Sequence, residues 1–442
     1  MALIPRLVNS ILQRQSATLR EPRRESESSS LSEDLKSESL SLREDPKGGT
    51  RNSLIEVQLG IVLSSTIWDS AALPDKGEGA RQVAERTAIQ DTDSPDLDRQ
   101  FLAFCRSGRL AGAKGNLEAV RFLKEALERE GYTAHTLVDR GFALLPAVLG
   151  VGFLALAVAH FLTTRRFPFV ILSSLMLAPM LKSAKSMRDG TPLAVFGVRP
   201  AAGESEAPTV ILGAHFDSVS LLLIQGSFLA ASLYAVVFMV GVFEVACLVS
   251  PLLAVLISAV TGFFLYGNAS PGADDNASGV FAVLECARRL KSASNVNVVP
   301  VFFNYEEEGL FGSFAFTRRF VGKRGRGIPG VNIDPSKCFM INFDCVGRGK
   351  KIYISGDKGL AKMILDTSAA RELGVSLTSS YPSDHLFFGK PWKALSFARA
   401  DRCWMVNLSW IHSRADVPEK VTLNYIREVA FIVVEFVRSI GS

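Results

Sequence analysis

Polar and apolar positions divide this chain into three textures. Up to residue 52 it is rich in Ser, Glu and Arg, with too few large apolar groups to offset the entropy of ordering, and a disordered tail is expected. Arg6, Arg14 and Arg20 with Ile4, Leu7, Val8, Ile11 and Leu12 at helical spacing look like a transit peptide, although an untargeted tail is the simpler reading. Residues 53–95 read as a linker around one apolar run, 59–68, too short to span a bilayer. From 96 to 442 short apolar runs alternate with helical patterns. Runs at 192–198, 209–214, 298–304, 337–343, 351–355 and 393–398 predict buried strands. Leu117, Val120, Leu123 and Leu127 predict a helix capped by Asn116 and stopped by Gly131, and further helices are predicted at 276–290, 359–371 and 423–439. The alternation predicts an α/β domain with a largely parallel central sheet flanked by helices.

Two apolar hairpins interrupt that pattern, at 142–181 and 219–266. The run 142–162 is uncharged over 21 residues, and at about 1.5 Å per residue it matches a roughly 30 Å hydrocarbon core. Its partner, 167–181, is shorter and holds Pro168 and Pro179. Within 219–266 the only charged residue is Glu244, between two further apolar stretches. Buried core helices or an oligomer interface would explain one such run; four favour membrane insertion. The sequence therefore predicts an integral membrane protein in contact with a lipid bilayer. An even number of spans keeps the remaining segments on one side. The basic residues Arg140, Lys182, Lys185 and Arg188, against Arg165 and Arg166 in the turn, place that side in the cytoplasm.

Charge and cysteine content narrow the classes. A net charge of +5, from 49 basic and 44 acidic residues, is too balanced for an electrostatic nucleic-acid surface. The 6 cysteines lack the short pairs of a zinc knuckle and the density of a disulfide scaffold, so they read as buried free thiols, in keeping with a reducing compartment.

Several polar residues follow the predicted strands. His215 and Asp217, one residue apart, can point to the same side of an extended chain, though such a pair is common by chance. Asp275 precedes a helical pattern and on its own reads best as a capping carboxylate. Glu306 and Glu307 end an apolar strand where carboxylates cannot be buried cheaply without a partner, and Asp344 ends another. His412 lies in a loop before the last helix, with Asp416 behind it.

Taken together and in this order, the segments Ala214-His215-Phe216-Asp217, Gly272-Ala273-Asp274-Asp275-Asn276-Ala277-Ser278-Gly279, Glu306-Glu307-Glu308-Gly309-Leu310-Phe311-Gly312-Ser313, Asn342-Phe343-Asp344 and Ile411-His412-Ser413 resemble a known family. It is the co-catalytic zinc peptidase family of S- and Y-type aminopeptidases, glutamate carboxypeptidases and glutaminyl cyclases. Ser383-Asp384-His385 also looks like a recurrent segment of that family. The resemblance implies two zinc ions held by His215, Asp275, Glu307, Asp344 and His412, with Asp275 shared, Asp217 steadying the His215 ring, and Glu306 as general base. Four positive charges would then meet three ligand carboxylates and Glu306. The implied activity is hydrolysis of a peptide or protein terminus, most simply by an aminopeptidase.

Two departures bear on that expectation. Sixty positions separate His215 from Asp275, where the family uses a short loop, and the second hairpin fills the gap. Ile411 stands where some members carry an aromatic hydroxyl, for which Tyr381 is a possible substitute. The competing readings are a glutaminyl cyclase-like acyltransferase and a catalytically silent membrane receptor on the same scaffold.

Overall fold

The structure, a computed structural model, describes residues 95–442 apart from 165–167, 203–206, 222–265, 294, 323–324, 379–381 and 402–409. The expected tail, all but the last residue of the expected linker, Tyr381 and nearly all of the second hairpin lie outside these residues.

In chain order the elements are α1 (Pro95–Phe104), α2 (Lys114–Arg129), β1 (Thr133–Leu137), α3 (Leu144–Thr164), α4 (Pro168–Arg188), β2 (Ala194–Val198), β3 (Thr209–His215), β4 (Ser220–Leu221), β5 (Tyr266–Gly267), α5 (Ser278–Leu290), β6 (Asn297–Phe303), α6 (Phe311–Phe316), β7 (Cys338–Phe343), β8 (Lys351–Gly356), α7 (Lys358–Leu365), α8 (Ser368–Glu372), β9 (Ser376–Leu377), β10 (Lys393–Ala400) and α9 (Leu423–Gly441). Eight strands form one sheet in the order β1-β2-β6-β3-β7-β10-β8-β9. The central strands β6, β3, β7 and β10 run parallel. The pairs β1–β2, β2–β6 and β8–β10 are antiparallel. The expected largely parallel sheet is thus corrected to a mixed one. An apolar run reveals that a strand is buried but not its direction, and β2 returns beside β1 only after the chain has passed through α3 and α4.

β3 and β6 are buried at every position, as the apolar runs imply. Their side chains alternate between two cores. Val210, Leu212 and Ala214 join the layer under α5 and α9, whereas Ile211, Val301 and Phe303 join Phe196 and Phe316 on the other face.

Smaller expectations change too. Asn116 does not cap α2: the N-cap is Ala113, and Asn116 is buried in the first turn, where its amide donates to Asn304 Oδ1 at 2.9 Å. The helix expected over 359–371 is two, α7 and α8, because Thr367 opens a new one by accepting the Ala370 N–H.

The first hairpin forms as α3 and α4. Among the described residues, however, no helix is long and apolar enough to cross a membrane. The expected pair of spans is replaced by a hairpin that returns into the body. α4 contains Pro179 and ends in Lys185 and Arg188, and its final turns bury Met180, Ser183 and Met187, the last in the second core. At the two ends of the second expected hairpin, β4 and β5 pair antiparallel, Ser220 with Gly267 and Leu221 with Tyr266.

Candidate metal centre

The carboxyl ends of three adjacent parallel strands deliver most of the polar residues. His215 is the last residue of β3, Glu306 and Glu307 follow β6 closely, and Asp344 follows β7 directly. Asp275 arrives from the turn before α5, and His412 from the loop before α9. The capping reading of Asp275 fails. Its backbone is non-helical, at φ −112° and ψ 91°, and α5 has no side-chain cap. Its neighbour Asn276 anchors the turn instead, accepting the Gly279 N–H at 2.9 Å and donating to Phe343 O at 2.8 Å.

Asp275 divides its two oxygens between two histidines. Oδ1 lies 3.2 Å from His215 Nε2 and Oδ2 lies 3.0 Å from His412 Nε2. His215 Nε2 also faces Asp344 Oδ1 at 3.7 Å, while His412 Nε2 faces Glu307 Oε2 at 2.9 Å. Three groups of three possible ligands result, His215–Asp275–Asp344 and Asp275–Glu307–His412, which share Asp275, and His215–Glu306–Glu307, each with its donor atoms within 4.8 Å of one another. All the donors are imidazole nitrogens or carboxylate oxygens, a set that suits zinc. Glu306 is 3.9 Å from His215 Nε2.

The polar partners of these residues fix their orientation. His215 Nδ1 is nearest to the main-chain oxygen of Asp217, at 3.3 Å, and 3.7 Å from its carboxylate, so the main chain holds the ring at least as closely as the side chain does. Asp217 Oδ2 accepts the Glu307 N–H at 3.2 Å, which ties the first strand end to the second. Ser383 donates to Asp344 Oδ2 at 2.7 Å and itself accepts from Asn342 Nδ2 at 2.8 Å. Asp416 accepts the N–H groups of both Asp274 and Asp275, at 2.8 and 3.0 Å. Tyr305, Cys345 and His412 have φ of 60°, 57° and 55°, so left-handed residues adjoin or form this cluster, where strain is commonly stored.

Electrostatics follow from burying so many acids together. Burial lowers the basicity of His215, but Glu306, Asp217, Asp275 and Asp344 outweigh it and hold the ring well above the usual range. His412 is raised in the same way by Glu307 and Asp275. Burial would raise Asp275, yet its two histidine partners pull it below the ordinary carboxylate range. Burial pushes Glu307 up to about 7, and with the Glu307 charge it holds Glu306 well above normal. Asp384 and Asp416 are likewise pushed up to about 7 by burial. Among the described residues Cys105, Cys286, Cys338 and Cys345 are free thiols, and burial pushes Cys105 up to about 12.

The structure thus brings His215, Asp217, Asp275, Glu306, Glu307, Asp344 and His412 together, while Tyr381 lies outside the described residues. It adds two that single motifs do not reveal: Asp416, in its role as backbone acceptor, and Arg109. The guanidinium of Arg109 is buried and donates to Phe216 O at 2.7 Å, Pro271 O at 2.6 Å and Gly272 O at 2.8 Å.

A family model described as Peptidase family M28 matches residues 197–437. Aminopeptidase YwaD of Bacillus subtilis (strain 168) is 33% identical over 129 residues, 27% of this chain, and the chain spans 26% of that curated relative. An aminopeptidase structure from Aneurinibacillus sp. strain AM-1 aligns with a TM-score of 0.49 at 15% identity, over 80% of this chain and 95% of that one. A glutaminyl cyclase structure from Tannerella forsythia aligns with a TM-score of 0.47 at 15% identity, over 80% and 98%.

Proposed function

The chain belongs to peptidase family M28, and from that premise we propose that it is a zinc-dependent exopeptidase of the aminopeptidase type. The observation that supports this best is Asp275, whose two oxygens each face a different histidine at 3.2 and 3.0 Å. A carboxylate placed in that way is suited to bridge two ions. One would be held by His215 and Asp344, the other by Glu307 and His412, with Asp275 common to both.

Zinc at these positions supplies Lewis acidity, polarising the scissile carbonyl and lowering the pKa of water toward about 7. The chain's own residues do the rest. Glu306 takes the proton of the attacking water and returns it to the leaving amine. Burial holds its carboxyl above the usual range. Asp217 and Ser383 keep His215 and Asp344 in place.

In this reading the enzyme is also attached to a lipid surface through the α3–α4 hairpin, with its body on the cytoplasmic face. In support, Leu144, Val148, Val151, Phe153 and Leu156 of α3 are all exposed, a patch that water alone does not favour. Arg140, Lys185 and Arg188 at the foot of the hairpin suit the anionic lipids of a cytoplasmic leaflet. The substrates would be peptides or protein termini presented near that surface.

The decisive experiment is zinc analysis of the purified protein combined with a panel of peptides. Hydrolysis of free-amino peptides but not of their N-acetylated forms, with two zinc ions per chain, is expected. Equal rates on both forms would overturn the aminopeptidase assignment, and cyclisation of a Gln-initial peptide without hydrolysis would replace it with acyl transfer.

A further inference from the structure

We infer that Arg109 is a positioning residue that clamps the two roots of the 219–270 insertion together, and so keeps the His215–Asp217 and Asp275 segments in metal-binding register. This rests on the zinc reading above. A short loop would hold the two segments together covalently. Here sixty positions separate His215 from Asp275, and nothing in the chain's connectivity keeps them adjacent.

The contacts of Arg109 fall on both roots. On the outgoing side, its N–H donates to Ser218 Oγ at 3.0 Å, its Nε donates to Phe216 O at 2.7 Å, and its carbonyl accepts the Ser218 N–H at 3.3 Å. On the returning side, Nη1 donates to Pro271 O at 2.6 Å and Nη2 to Gly272 O at 2.8 Å. Ser218 Oγ closes the gap between the roots by donating to Ser270 O at 3.2 Å. Each bridged residue lies within five positions of a proposed ligand. Phe216 and Ser218 flank Asp217 just after His215, and Gly272 is three residues before Asp275.

The approach is too close for other side chains. Gly272 has φ +59°, and a Cβ there would lie 2.9 Å from Arg109 Nη2 and 2.5 Å from Ser218 Cβ. The neighbouring Gly108 allows the same intimacy with the returning root, since its Cβ would meet Asn268 O at 2.2 Å.

Only a guanidinium can do this work. Its donors are spread over a rigid plane and reach three carbonyls at once, whereas the ammonium of lysine is a single point. Burial disfavours its charge, but Cys105, Asp416, Asp217 and Asp275 oppose that penalty.

The test compares Arg109→Ala, Arg109→Lys and Arg109→Gln with wild type for zinc affinity by chelator competition, and for the visible spectrum after cobalt substitution. Each variant is made in the full chain and in a chain whose 219–266 is replaced by a short Gly/Ser joint. In the full chain all three variants should lose at least about tenfold in zinc affinity and show an altered cobalt spectrum, with lysine no better than glutamine. Guanidinium ion added to Arg109→Ala should restore part of the affinity. In the shortened chain, where the joint does the clamping, the same substitutions should cost about threefold or less. The glutamine variant, with a neutral donor, covers the case in which alanine does not fold. Wild-type zinc affinity in the full-chain variants, or an equal loss in both chains, would overturn the inference. A wild-type protein that takes up no zinc would instead overturn the metal centre itself.

Discussion

At the carboxyl edge of the sheet Asp274, Asp275, Asp384 and Asp416 are buried side by side, whereas along α3 Leu144, Val148 and Val151 stand 71%, 58% and 56% exposed. Charge is hidden from water in one region and apolar surface is offered to it in the other. Both arrangements disfavour an isolated protein, because a buried ion loses its hydration and an exposed apolar patch orders water. The difference lies in their construction. The acidic edge is tied by many directed bonds, such as those of Asp416 to the N–H groups of Asp274 and Asp275, while α3 packs on α4 and offers no charged side chain at all. A directed network suits a ligand of fixed geometry, such as a metal ion. An undirected apolar face suits a fluid partner, such as lipid.

The largest expected effect would break the acidic half of the comparison. Glu306→Gln should keep zinc, because both ligand groups that share Asp275 stay complete without Glu306, and should lower kcat by about 10²- to 10⁴-fold. Turnover near wild type with zinc retained would remove Glu306 from the role of base.

The next largest addresses the apolar half. Changing Leu144, Val148, Val151 and Leu156 together to Ser should cut binding to phospholipid vesicles by at least about 100-fold, since each buried side chain of this size contributes about 1.5 to 3 kcal/mol. Activity on a small soluble peptide should stay within about twofold, because the catalytic edge is untouched. Unchanged vesicle sedimentation would separate the hairpin from any lipid role.

The two regions were not equally legible in the sequence. His215, Asp275, Glu306, Glu307, Asp344 and His412 can be read there because each sits in a short local motif after a buried run. Arg109 cannot: in Arg106-Ser107-Gly108-Arg109 it looks like a solvated loop cation, and its partners lie 107 to 163 positions away. The role of Asp416 is hidden for the same reason, since only folding brings it to the Asp274–Asp275 backbone. The six apolar strands were legible, but β1, β9 and the strand directions were not, and the antiparallel β2 and β8 turned a parallel expectation into a mixed sheet. The hairpin 142–181 was visible as two helices, but hydropathy does not reveal that Met180, Ser183 and Met187 return into the body.

A smaller effect concerns protons at the acidic edge. Glu307, Asp384 and Asp416, pushed up to about 7, hold protons in the folded chain that the unfolded chain has already released. Their contribution to stability is present below ordinary carboxylate values and is lost as pH rises through about 7. The raised histidines His215 and His412 act with the same sign. His385 opposes them, because burial pushes it down to about 4 and it destabilises the fold as pH falls below about 6.5. Between about pH 6.5 and 8 the metal-free protein should therefore melt lower as pH rises. Zinc must displace the same protons, so its affinity should rise about tenfold per pH unit for each proton released. Calorimetry without zinc and chelator competition across that window check both, and a zinc affinity independent of pH would count against these groups as ligands or neighbours.

The smallest effect lies where the two regions meet. Arg319 lines both clefts at the foot of the hairpin, one with Val138 and Arg140 and the other with Arg318 and Arg326, and Asp139 is the one carboxylate lining either. Four exposed arginines against one acid make a surface that anionic headgroups complement and neutral ones do not. A basic residue near such a membrane contributes about 1 kcal/mol, so Arg319→Ala should weaken binding to phosphatidylserine-containing vesicles about fivefold. Binding to vesicles of phosphatidylcholine alone should not change, because the apolar face of α3 serves both. Raising the salt concentration should shrink the difference, since these charges are exposed and a Debye length is about 8 Å at physiological ionic strength. If the variant weakens binding to both vesicle types equally, Arg319 supports the hairpin's shape rather than its choice of lipid, and the division between a directed and an undirected half would have to be redrawn at the hairpin's foot.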